Sequence, residues 1–126
     1  MARLPLAFFS AAAICALFGM VWGSFMGSTH DHTLMPAHAH LNLVGWATLA
    51  LMGTFYALSG QGGRRGWINW FLSVGGVVVM TPSLAMLLSG DMGAEAGVIA
   101  GSVLAILGML TFLASILSAW RAGARA

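Results

Sequence analysis

The sequence predicts an all-α integral membrane protein, a single domain over residues 1–126 with four transmembrane helices, short loops and both termini cytoplasmic. Three observations carry this expectation. The chain is 60% hydrophobic and only 6% charged, against about 25% charged residues in a typical soluble domain. Four apolar runs, roughly 5–27, 37–59, 67–89 and 96–120, each reach the ~20 residues that cross a bilayer. The five basic residues are all arginine, and an even number of spans puts Arg3, Arg64, Arg65, Arg121 and Arg125 on one side, which the positive-inside bias makes cytoplasmic. Three spans would leave Arg121 and Arg125 outside. The arginines never cluster beyond the Arg64-Arg65 pair, so they are an orientation signal and predict no nucleic-acid partner. The partner this composition predicts is the lipid bilayer, in a bacterial inner membrane.

The first run opens behind Arg3, as a cleaved signal peptide would over residues 1–28. A signal core is about 7–15 residues, whereas this run continues past Met20 and Trp22 to Met26. Gly19, Gly23 and Gly27 recur every fourth residue, which lines one helix face and permits close approach. The run is read as a retained first helix. Cys15 is the only cysteine, which excludes an intramolecular disulfide, and it reads as a small apolar packing residue.

The second run begins at Pro36, which suits a first-turn position because its missing N–H would have had no helical partner. Thr33 is placed to cap it. A loop of glycine and arginine, Gly60 to Gly66, separates it from the third run, whose Thr81-Pro82 predicts a kink with Thr81 or Ser83 satisfying the freed carbonyl. The fourth run follows Gly90 to Glu95 and carries Gly97, Gly101 and Gly108 as a packing face. Trp67, Trp70 and Trp120 mark the cytoplasmic boundary. Connections this short make consecutive helices antiparallel neighbours.

The chemistry is concentrated between His30 and Trp46, which holds all four histidines, His30, His32, His38 and His40. Neutral imidazole is a metal and heme ligand. His38 and His40 are two residues apart, so on a helix turning ~100° per residue they point about 200° apart. That geometry is poor for gripping one ion and good for entering two crevices, or for hydrogen bonding between helices. Asn42 is one turn beyond His38 and offers a supporting hydrogen bond. Gly45 and Gly53 leave room for a flat macrocycle or a close helix, and Trp46 and Tyr56 are rings suited to line such a crevice. His30 and His32 lie in the outer loop beside Asp31, where they form a solvated turn or, with Met26 or Met35, a copper or zinc site. Among nine methionines, Met80 and Met86 are the intramembrane candidates for axial ligation, although methionine is a routine core filler.

The segment Ala37-His38-Ala39-His40-Leu41-Asn42-Leu43-Val44-Gly45-Trp46 resembles the tenth helix of the catalytic subunit of heme-copper oxidases, closest to the cbb-type and nitric-oxide-reductase-like branches. The resemblance implies that His38 is the ligand of a high-spin heme and His40 of a low-spin heme. It covers about ten residues closely. The family's copper site needs a further histidine and an adjacent His-His pair, and no histidine follows His40. A standalone terminal oxidase is therefore not implied. Family members arrange twelve helices as three arcs of four, and this chain looks like one arc. The implied assembly is a homotrimer binding heme b between His38 of one copy and His40 of the next, serving electron transfer or interaction with O2 or NO with a redox partner. Two other readings stand beside it: a copper- or zinc-binding or transport module using His30, His32 and Met35, and a non-catalytic accessory subunit of a respiratory complex. No acidic residue lies inside a span, so proton pumping is not supported.

Overall fold

A computed structural model describes residues 3–123, and Arg125 lies outside the described residues. Four helices, each long and apolar enough to cross a membrane, occupy Arg3–Thr29, Met35–Ser59, Gly63–Leu88 and, after a short 3-10 turn at Met92–Ala94, Glu95–Gly123. No strand occurs among the described residues. The helices run a few residues past the expected spans because their polar ends continue the backbone hydrogen bonding beyond the apolar stretch.

The first helix packs along the second. Leu4, Phe8 and Ala12 meet Leu49, Met52 and Tyr56 in the main apolar core, with Phe8 stacked on Tyr56 at 5.4 Å between ring centroids. Gly53 makes this contact possible, since a Cβ there would lie 3.0 Å from that of Phe8. The third and fourth helices form the tightest pair. A Cβ at Gly101 would lie 2.6 Å from Met80 Cα, one at Gly76 would lie 2.7 Å from Ala105 N, and one at Gly108 would lie 3.0 Å from Ser73 N. These small residues bring two backbones together where lipid provides no hydrophobic drive.

Polar groups tie the pairs together. Asn69, fully buried, donates to Tyr56 Oη at 3.0 Å and accepts from Ser73 Oγ at 3.0 Å. Tyr56 Oη donates onward to Ser115 Oγ at 3.1 Å, so the network spans the second, third and fourth helices. Its members satisfy one another, which is the condition for a polar core to be stable.

Two local expectations are corrected, at Thr33 and at Thr81. Thr33 does not cap the second helix, which starts behind Leu34 with no side-chain cap, because its hydroxyl and amide both bond Asp31 Oδ1. The third helix is continuous through Pro82. Thr81 does not satisfy the freed carbonyl, its buried hydroxyl having no hydrogen-bond partner. Asp31 and Asp91 instead act as turn formers, Asp91 Oδ1 accepting from Gly93 N at 2.9 Å ahead of the fourth helix.

Candidate functional site

The second helix is not uniformly α-helical. Leu41–Thr48 forms a π-helix between α-helical Met35–His40 and Leu49–Ser59. Such turns are rare and concentrate at functional sites. The sequence supports it physically. Ala37, Gly45 and Leu49 are buried and Leu41 half-buried, a spacing of four that drifts about 40° per step on an ideal α-helix. A wider turn keeps them on one face. Thr48 Oγ1 donates to Leu43 O, five residues back, at 2.7 Å. Gly45 lets the neighbours close in, a Cβ there falling 2.9 Å from Cys15 Sγ and 3.1 Å from Val77 Cγ1. The room at Gly45 and Gly53 is thus taken by the first and third helices.

His38 and His40 diverge as their spacing requires. His38 is half-buried against the first helix, its Nε2 2.9 Å from Gly19 O and 3.1 Å from Asn42 Nδ2. A carbonyl only accepts, so the proton sits on Nε2 and is donated to Gly19 O, leaving the ring's lone pair on Nδ1. Asn42 Nδ2 donates to His38 O at 2.9 Å. Trp22 stands edge-on to the imidazole, with ring centroids 6.1 Å apart. Gly23 makes the pocket for the ring tip, a Cβ there lying 3.0 Å from Nε2.

His40 is the reverse case. Its ring is exposed, and its Nδ1 lies 2.7 Å from Pro36 O. The proton that Pro36 O accepts is therefore on Nδ1, and Nε2 makes no hydrogen bond among the described residues. An Nδ1–H bond to a backbone carbonyl is the usual device that fixes tautomer and orientation in a ligating histidine. Leu43 and Trp46, three and six residues further on, are also exposed.

The other candidates disperse. His30 and His32 are exposed, and His30 is the only described non-glycine residue with positive φ, at 55°, where it ends the first helix. Asp31 is held below the ordinary carboxylate range by the Thr33 hydroxyl and then the Thr33 amide. Met26 and Met80 are buried in packing contacts, while Met35 and Met86 are exposed. Among the described residues no three His, Cys, Asp or Glu side chains come together as a metal-binding group. An apolar groove of 790 Å3 opens beside this region between the first three helices, lined by Cys15, Trp22, Leu41, Val77, Thr81 and Pro82 among others. The partners of His38 on the first helix, Gly19 O and Trp22, were not singled out by the sequence, because a backbone acceptor leaves no mark on residue identity. Asn69 was missed as well, although a lone amide in an apolar run is a signal that marks it.

Fold and site together define an all-helical protein with four potential membrane spans and one outward imidazole on a π-distorted helix. Compared with known proteins, the chain matches no family model, no curated protein and no solved structure.

Proposed function

We propose that this is a small membrane protein that binds b-type heme between copies of itself, through the second helix, and serves electron transfer or interaction with a diatomic gas. The observation that carries the reading is His40, an exposed imidazole whose Nδ1–H is fixed by Pro36 O and whose Nε2 is free. A histidine so oriented would be able to ligate a heme iron. The bound group would supply one-electron chemistry or gas binding. Burial between subunits within the bilayer would exclude water from the site. The arginines at the other end of the spans support a periplasmic side for the histidine segment in a bacterial inner membrane, by the positive-inside bias.

A second reading has one observation in its favour. The His38 ring is already satisfied through its Nε2–H by Gly19 O, as in an accessory subunit whose histidines only pack.

The test is the visible spectrum of protein purified after heme-replete expression, beside His40→Leu. Wild type is expected to show the Soret and α bands of a low-spin b heme, and the variant to lose them. A colourless wild type, or an unchanged spectrum in His40→Leu, overturns the proposal.

A further inference from the structure

We propose that the arginine end of the bundle holds the phosphate headgroup of one anionic phospholipid, in a cavity between the first helix and the turn that joins the second helix to the third. The inference is independent of heme and of the histidines.

The cavity has a volume of about 360 Å3 and is lined by Arg3, Leu4, Tyr56, Gln61 and Trp67 together with the turn over residues 60–63. Its size falls at the lower end of small-ligand pockets, which span about 300–1,000 Å3. The lining is mixed in chemistry. Leu4 and Tyr56 belong to the buried apolar core, whereas Arg3 brings a cation and Gln61 an amide. Gly60 and Gly63 hold positive φ, at 64° and 60°, and a Cβ on either would meet nothing within 4 Å. The backbone at both positions is exposed and uncovered by any side chain of its own.

The charge around this cavity has one sign. The acidic side chains, Asp31, Asp91 and Glu95, all lie in or beside the connections at the other end, while Arg3, Arg64, Arg65 and Arg121 lie at this one. Arg3, Arg64 and Arg65 occupy the first turns of the first and third helices, where the helix dipole is already positive, so they add to the field instead of offsetting it. Arg65 is turned towards the fourth helix, donating to Ser118 Oγ and Ala114 O, which leaves Arg3 as the cation in the cavity wall. The third helix opens behind Gly62 with no side-chain cap and no acidic residue in its first turn, which adds a partial positive charge to the same wall. Trp67, 37% exposed, shares that wall, and indole rings collect at the level of the lipid headgroups. Basic pockets between membrane helices are sites for anionic headgroups. A lipid phosphate supplies both the negative charge that Arg3 attracts and an apolar body for Leu4 and Trp67 to contact.

The deciding measurement is native mass spectrometry of the whole chain in micelles doped with equal amounts of phosphatidylglycerol and phosphatidylcholine of the same acyl chains. One retained phosphatidylglycerol per chain, with little phosphatidylcholine, is expected. Arg3→Gln is expected to lower that retention about fivefold. Arg3 is exposed at a helix start, so its loss relieves an unfavourable charge and leaves the fold intact. Arg121→Gln removes the same charge from the same end outside the cavity and is expected to keep retention within about twofold. Equal retention of the two lipids, or an equal loss in Arg121→Gln, overturns the site. Displacement of the lipid by millimolar glycerol 3-phosphate assigns the cavity to a free phosphate and overturns the lipid assignment.

Discussion

Gly19, Gly23 and Gly27 share one helix face, and their substitution by alanine tests whether His38 and Asn42 are seated against the first helix. A Cβ at Gly19 would lie 2.7 Å from Asn42 Nδ2 and 2.9 Å from its Cγ, so the amide must move and give up its hold on His38 O. Overpacking of this kind costs about 1–3 kcal/mol, while the bond given up lies within the second helix. Against this, alanine gains about 1 kcal/mol over glycine in a helix. Gly19→Ala is therefore expected to destabilise by about 1 kcal/mol. At Gly23 the new Cβ would lie 3.0 Å from His38 Nε2, a clash relieved by a few tenths of an ångström, and the two effects should cancel to within about 0.5 kcal/mol. Gly27 is exposed with nothing within 4 Å, so Gly27→Ala should stabilise by about 0.5–1 kcal/mol. Unfolding by SDS in mixed micelles, followed by circular dichroism, reads the order. Asn42→Ala should relieve the cost in the Gly19→Ala background, and a double-mutant cycle measures that coupling. A Gly19→Ala protein as stable as Gly27→Ala would refute the seating of His38 and Asn42.

Three further outcomes follow from particular side chains. Asn69→Ala removes the bonds to Tyr56 and Ser73 and leaves a void in a fully buried site, which should cost about 2–3 kcal/mol; Asn69→Leu refills the void and should cost about 1 kcal/mol, in the same unfolding assay. His30→Gly relieves a left-handed backbone angle of 55° and should raise stability by about 0.5–1 kcal/mol, whereas an unchanged or lower midpoint contradicts that geometry. Asp31 is depressed chiefly by the Thr33 hydroxyl, so its contribution is present at neutral pH and is lost as the pH falls through its lowered folded value, below about 4. Thr33→Val should move the Asp31 carboxyl titration, followed by carbon NMR, upward towards the ordinary value, and no movement would sink the assignment.

The helices were legible because apolar length is a property of composition, and nearly every boundary falls beside a glycine, aspartate or proline that ends or starts a helix for a local reason. The glycine faces of the fourth helix were legible on similar grounds: at Gly101 and Gly108 only a missing side chain lets the third helix approach. The π segment was not, because a spacing of four at Ala37, Leu41, Gly45 and Leu49 stays within the tolerance of an ordinary amphipathic pattern. Thr33 was misassigned because Asp31, two residues earlier, competes for the same hydroxyl. A cap and a turn draw on the same residue types, and the sequence alone does not rank them.

The divergence of His38 and His40 followed from a spacing of two, but spacing does not say which nitrogen either ring presents. That depends on carbonyl oxygens, one a helix away at Gly19 and one a turn back at Pro36. Pro36 helps in a second way, since it fixes the first turn at the site where its own carbonyl receives the His40 proton. The two rings consequently hold opposite tautomers within three residues of chain. One joins the first two helices through Nε2–H, and the other leaves the protein with a lone pair on its surface. An unpaired polar nitrogen on an apolar helix surface is a liability for a monomer. It becomes an asset only when a metal, or a donor on another molecule, meets it.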